Sequence, residues 1–332
     1  MVKIPYNLYL CSCNLTGHIP SWLANLTQLS LLAHDSNGMY DSIPSWIYRL
    51  MNLETLDLYF NYFGGIVEFD NFLKLQKLKW LQLSSNQISL LTKPSNNITF
   101  PKFQILGLAS CDLDEFPDFL KNQDELEVLQ LSKNKISGLI PNWMWNSSKK
   151  TLLSLDLSHN FLTGFFQLPV ILPWTKLRNL ELSNNKLQGS LPIPPPSIIT
   201  YSVSNNTLTG EIPQMICNLC SLLSLDLSDN NLSGMLPDCL GNLSFSLSIL
   251  NLRRNNFQGN VPQICKKGGN LKMIDFSQNQ LQGWMPRSLV NCTMLETLVQ
   301  GNNQINDSFP SWLGVLPELG FLYYDIINSK VQ

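Results

Sequence analysis

Histidines, a recurring aspartate and eight cysteines are the groups in this 332-residue chain whose types could do chemistry. His18, His34 and His159 fall in separate segments, and none stands at a spacing that joins it to a nucleophile and a carboxylate. His159 takes a variable position just before Asn160, where an exposed side chain is expected. Asp57, Asp156, Asp226 and Asp275 recur at one position of a repeated segment, which marks a strand pattern rather than an acid/base pair. Cys217-x-x-Cys220 with Cys239 and Cys265 is poorly spaced for zinc and has no histidine beside it. Neither GxGxxG after a strand nor GxxxxGK[ST] occurs. The reading is of a protein that is not an enzyme and needs no metal or cofactor.

The bulk composition narrows the class further. Charged residues are 14% of the chain, against about 25% in an average soluble protein. Lys and Arg number 22 against 24 Asp and Glu, for a net charge of −2. That balance gives no electrostatic case for a nucleic-acid partner. No run approaches the roughly 18 apolar residues of a membrane span, so no transmembrane segment is expected in this chain. The opening MVKIPYNLYLCSCNL lacks the apolar core and cleavage site of a secretory signal. What stands out is 61 Leu and 35 Asn, a pair that only a repeat supplies.

The elements that must position any surface follow from that repeat. LxxLxLxxN recurs as LETLDLYFN (53–61), LKWLQLSSN (78–86), LEVLQLSKN (126–134) and LLSLDLSDN (222–230). The residue at the Asn position is Cys13, Asn37, Asn61, Asn86, Cys111, Asn134, Asn160, Asn185, Asn206, Asn230, Asn255, Asn279 and Asn303 in turn. Successive members are 21 to 26 residues apart, inside the leucine-rich-repeat range. Alternate residues of a strand face opposite ways, so the two Leu of LxL enter the core and the intervening positions face out. The apolar residue two after Asn (Leu15, Phe63, Ile136, Leu162, Leu232) fills the rest of the wedge. An amide side chain both donates and accepts, so stacked Asn can satisfy backbone groups left open where the strand bends. Cys13 and Cys111 are read as buried members of the same ladder.

The second half of each turn carries GHIP (17–20), GLIP (138–141), GSLP (189–192), GEIP (210–213), GMLP (234–237), GNVP (259–262) and GWMP (283–286). With these, the sequence resembles the plant-specific extracellular leucine-rich-repeat family. SLPIPPPSIITYSVSNNTLTGEIP and NCTMLETLVQGNNQINDSFPSWLG are similar to plant receptor-like proteins of the disease-resistance type. The resemblance implies an α/β repeat solenoid: a right-handed superhelix with a parallel β-sheet on its concave face. It would hold about 13 repeats and part of a fourteenth over 1–323, with a degenerate tail at 324–332. It implies a ligand-recognition ectodomain on the extracellular side of the plasma membrane, in defence signalling through a partner receptor kinase. The ligand would be an extracellular protein, peptide or glycan. A secreted inhibitor of pathogen wall-degrading enzymes and a developmental receptor are the alternatives on the same scaffold.

Departures from the pattern are as informative. Segments 87–103 and 111–118 lack GxIP, and 164–174 replaces it with GFFQLPVILPW. His34 and Gln300 stand where the family has an apolar residue. Tyr324 fits the second Leu of a fourteenth LxL, but Ile327 takes its Asn position. The family's terminal caps are not in the chain, which therefore reads as an internal fragment or truncated product. Sequons occur at Asn14, Asn25, Asn97, Asn146, Asn205, Asn231, Asn242, Asn291 and Asn306, and together agree with secretory passage. Cys217, Cys220, Cys239 and Cys265 lie in three consecutive turns, and a Cys217–Cys239 bridge between neighbours is the expected one.

Ligand contacts are expected on the outward strand positions. Early turns offer Asp57, Tyr59, Phe60, Trp80 and Gln82, an aromatic group with polar neighbours. Middle turns (Ser84, Ser85, Gly107, Ala109, Ser110) are small and read as open space. Later turns carry Glu181, Asp226 and Asp229, then Asn251, Arg253 and Arg254.

Overall fold

The computed structural model describes residues 6–92, 100–166, 171–306 and 310–324. The chain divides into two units, Met1–Leu162 and Thr163–Gln332. In the first, Asn7–Tyr9, Leu31–Ala33, Thr55–Asp57, Trp80–Gln82, Ile105–Gly107, Val128–Gln130 and Ser154–Asp156 pair side by side, all parallel. In the second, Asn179–Glu181, Thr200–Ser202, Ser224–Asp226, Ile249–Asn251, Met273–Asp275, Thr297–Val299 and Phe321–Tyr323 do the same. Register is residue for residue, so Leu56 pairs Leu81 and Asp57 pairs Gln82. Equivalent repeat positions therefore form continuous rows across each sheet.

The pattern of burial explains why the strands are so short. Leu56, Leu81, Leu106 and Leu225 point inward and are at most 0% exposed. The next inward residue (Leu58, Leu83, Leu108, Leu227) is equally sealed. Immediately afterwards the chain turns. The residue before each ladder position adopts a left-handed conformation, from Ser12 (φ 51°) and Ser36 (φ 55°) to Gln278 (φ 56°) and Asn302 (φ 59°). One left-handed residue ends the strand and swings the ladder side chain inward.

There the amides do what their chemistry allows. Asn134 Nδ2 donates to the Leu108 carbonyl of the preceding turn (2.8 Å) and to Leu131 of its own (3.0 Å). Its Oδ1 accepts the Cys111 and Leu113 amides, both at 3.0 Å. Asn61, Asn160, Asn206, Asn230, Asn255, Asn279 and Asn303 are buried likewise, while Asn37, Asn86 and Asn185 are half-buried. Cys111 is buried, but Cys13 is exposed, contrary to expectation. No described turn stacks over Cys13, so its thiol is left beside the Cys11 carbonyl (3.2 Å).

GxIP builds the return path. Gly210 at φ 84° reverses the chain, a conformation that costs a side chain dearly but glycine little. The proline then opens a 3₁₀ turn, as Pro20 does for Ser21–Asn25 and Pro213 for Gln214–Asn218. Among the described residues the helical segments are 3₁₀, apart from the four-residue α-helix Leu240–Leu243. A second layer of short strands lies between, Thr16–Gly17, Gly38–Asp41, Tyr62–Glu68 and Gln87–Leu91 in the first unit. Asp41 occupies the glycine position at φ 77°, where its carboxylate pairs with His18 Nδ1 at 2.6 Å.

Irregular turns are filled by bulk. Phe69 stacks on Phe119 (4.2 Å between centroids) and meets Phe103 (6.1 Å) where the GxIP elements are missing. The turn ending at Asn206 is the shortest, and there Tyr201 replaces a core Leu. Its hydroxyl donates to the Pro192 carbonyl at 2.5 Å, which satisfies a polar atom sealed in apolar surroundings. His34 takes an inward position at 1% exposure with neither ring nitrogen hydrogen-bonded, and burial pushes it down to about 4. Gln300 is 0% exposed at the corresponding place.

Covalent links tie turns in the second unit. Cys217 is bonded to Cys239 and Cys265 to Cys292, with Cα separations of 5.7 and 5.5 Å. The second pair was not anticipated. Phe321–Tyr323 supplies a strand for the partial fourteenth repeat and Tyr324 is half-buried. Ile327 and the rest of the tail after Tyr324 lie outside the described residues, as do Asn97 and residues 167–170 of the Pro-punctuated stretch.

Candidate functional site

The outward rows of each sheet form the candidate surface. In the first unit, Thr55–Asp57 and Trp80–Gln82 carry Asp57, Trp80 and Gln82 outward, and the segment after Thr55–Asp57 carries Tyr59 and Phe60. Tyr59 is 40% exposed, Phe60 59% and Trp80 39%, and the Tyr59 and Phe60 rings lie 5.9 Å apart. Truncating them opens no core cavity. Phe60 sits in the left-handed position at φ 51°. At this row the other turns have Ser, Asn, Asp, Lys, His, Arg or Gln, and Phe60 is the one aromatic among the described residues. Every turn shares that left-handed residue, so it is the exposed phenyl ring, not the backbone, that sets Phe60 apart.

Not every expected contact is available. Gln82 reaches across the glycine of the next strand, and its Nε2 donates to Gln130 Oε1 two turns away at 2.9 Å. A Cβ at Gly107 would stand 1.7 Å from Gln82 Oε1, so only glycine admits this span. The small middle turns are accordingly not open space. Gln82 covers Gly107, and Ser84 is 1% exposed with its Oγ accepting the Ala109 amide at 2.9 Å.

The recurring aspartates are occupied locally. Asp156, Asp226 and Asp275 each accept both the amide and the hydroxyl of the serine two residues on, with hydroxyl distances of 2.7, 2.7 and 2.6 Å. Asp57 has no such serine and accepts only the Tyr59 amide at 3.0 Å. Its carboxyl is pushed up to about 6, first by partial burial and then by the nearby charge of Asp35. Asp35 was not singled out from the sequence, although the repeat register already places it on the same row as Tyr59.

In the second unit the outward rows are mostly polar and of mixed sign, with Ile249, Phe321 and Tyr323 exposed among them. Arg253 and Arg254 are exposed, and Arg254 pairs with Asp229 at 3.1 Å. Asn251 Oδ1 accepts the Arg253 amide at 3.2 Å, and Glu181 Oε1 accepts Ser183 in the same way. A crevice of about 440 Å³ in the first unit lies away from these rows, lined by Glu68, Asp70, Leu91 and Glu115 among others. The sequons at Asn14, Asn25, Asn146, Asn205, Asn231, Asn242 and Asn306 have exposed asparagines and Asn291 is half-exposed. Asn205 donates through Nδ2 to Asn184 Oδ1 at 2.7 Å.

The Leucine Rich Repeat family model matches residues 6–26, 125–147, 176–198 and 221–243. Receptor like protein 28 of Arabidopsis thaliana is 47% identical over 276 residues, which cover 83% of this chain and 35% of that protein. Receptor like protein 22 of the same plant is 46% identical over 298 residues, covering 89% and 38%. The chain thus spans between a third and two-fifths of the length of these relatives. Among solved structures, a plant peptide hormone receptor, RGFR1 in complex with RGF2, matches with a TM-score of 0.68 at 25% identity, covering 93% of this chain and 57% of that one.

Proposed function

Since the chain belongs to the plant leucine-rich-repeat receptor-like proteins, we propose that it is a ligand-recognition segment of such a receptor's ectodomain. It acts at the extracellular face of the plasma membrane, and signalling passes to a partner receptor kinase. Defence is the role that fits the disease-resistance resemblance. The observation that carries the reading is the exposed aromatic group Tyr59, Phe60 and Trp80, clustered on adjacent outward rows of the first unit. Large rigid side chains there bury much area on binding at little entropic cost. The solved neighbour that holds a peptide hormone lends support to a peptide as the ligand.

The double variant Tyr59→Ala, Trp80→Ala tests it. Both side chains leave the sheet on the solvent side, so stability should shift by about 0.5 kcal/mol. Loss of an interface aromatic costs about 2 kcal/mol, roughly thirtyfold in affinity for an extracellular peptide or protein ligand. A variant that melts and binds as wild type does would move the site to Arg253 and Arg254 or off this chain.

A further inference from the structure

The aromatic group is embedded in a surface of one charge sign. No Lys or Arg occupies an outward position of the five strands from Asn7–Tyr9 to Ile105–Gly107, or either residue preceding the ladder position after them. Lys79, just before Trp80, lies 3.7 Å from Glu54. The charged groups on these rows are Asp35 and Asp57. Asp35 stands next to Tyr59, since the Ser36 amide donates to the Tyr59 carbonyl at 2.8 Å. Asp57 stands diagonal to Trp80 across the Thr55–Trp80 pair.

Two carboxylates beside aromatic faces have one complementary partner. We infer that this face takes a basic peptide segment, with a Lys or Arg side chain held between Asp35 and Asp57 and against the Tyr59 and Trp80 rings. Carboxylates supply charge-assisted hydrogen bonds to such a group, and the aromatic quadrupole attracts the same cation. Asp57 lacks the serine that occupies Asp156, Asp226 and Asp275, so its second oxygen is not engaged in that local turn. The Cys11 thiol, kept protonated to about 11 chiefly by burial, is neutral and hydrogen-bonds Asp35. Burial and Asp35 together disfavour the Asp57 anion in the free protein, and an incoming cation relieves that repulsion. The inference rests on the ligand-recognition reading above and names the chemistry of its ligand.

The test is selection of a random peptide library on the purified full chain, followed by affinity measurement of the winners on variants. Selected peptides should be enriched in Lys and Arg. Asp57→Asn, which keeps an acceptor for the Tyr59 amide, should weaken them at least about tenfold, Asp35→Asn should weaken them too, and Arg253→Ala should stay within about twofold. Melting curves on each variant confirm folding. Winners that are acidic or uncharged, or that bind Asp57→Asn as well as wild type, overturn the inference. If such winners are lost in Arg253→Ala, the recognition reading stands while this one falls. If no peptide binds, or only a neutral oligosaccharide does, the basic-peptide assignment is wrong.

Discussion

Asn134→Ala is the sharpest perturbation of the scaffold. It removes the acceptor of two amides, Cys111 and Leu113, and the bonds its Nδ2 donates to the Leu108, Leu131 and Ser132 carbonyls. Asn134 is 7% exposed and Cys111 0%, so water does not readily replace what is lost. A buried donor without a partner costs about 1–3 kcal/mol. Two such amides give about 2–6 kcal/mol, and relaxation of the turn brings the expectation to about 3 kcal/mol. Asn134→Asp keeps an acceptor but loses both donors and buries a carboxylate, so it should do no better than Ala. Asn37 is the internal control. It makes the same kind of bonds from a half-buried position, and its Ala variant should cost only about 1 kcal/mol because water can reach the freed groups. Urea denaturation followed by circular dichroism gives the stabilities, and hydrogen exchange at the Cys111 and Leu113 amides gives the local effect. Equal stabilities for wild type and Asn134→Ala, with unchanged exchange at those amides, would refute the ladder.

Three further outcomes follow from the same structure. His34, neutral in the fold at about 4 against an ordinary 6.5, takes up its proton more readily when unfolded. Its contribution is complete above about 6.5 and drains as pH falls toward 4, about 2 kcal/mol by pH 5. Asp57, raised to about 6, acts in the opposite sense, so the readout is the difference between wild type and His34→Leu. The variant's advantage should grow by about 2 kcal/mol between pH 7.5 and 5, and a constant difference would contradict the buried neutral ring. Peptide mapping without reduction should recover the Cys217–Cys239 and Cys265–Cys292 links, and replacing either pair with Ser should cost about 3 kcal/mol for loops of 22 and 27 residues. Secreted from plant cells behind an added signal, the 37.6 kDa chain should run several kilodaltons heavier and shift down after deglycosylation, whereas an unmodified product would count against extracellular passage.

The scaffold was legible because its physics is periodic. Leu56, Leu81 and Leu106 recur at one spacing, and one rule for burial serves them all. Single, aperiodic substitutions were harder to read. Tyr201 passes for a core Leu until its hydroxyl is seen to meet Pro192. The Cys265–Cys292 link needed the return path of its turn, which carries no GxIP helix between Val261 and Leu271 to fix it from spacing alone. Cys13 follows the ladder rule in sequence, but burial there depends on a neighbour above it. On the open face the register placed Tyr59 and Trp80 outward, yet it could not show that Gln82 is held by Gln130 or that Gly107 is a covered notch. Side-chain reach across two turns is a property of packing and leaves no mark in a pattern of 24 residues. The left-handed row before each ladder residue was invisible for another reason: Phe60, Lys133 and Arg254 are not residues that signal positive φ.

Hydroxyl-radical footprinting, with and without a peptide selected on this chain, tests the recognition surface most directly because it reads side-chain exposure residue by residue. Trp22 (59% exposed) and Trp284 (71% exposed) lie off the outward rows and serve as references within the same molecule. The account predicts that the peptide protects Tyr59, Phe60 and Trp80 from oxidation while Trp22 and Trp284 react as before. Protection of Trp22 or Trp284 with Tyr59 and Trp80 unchanged would contradict it.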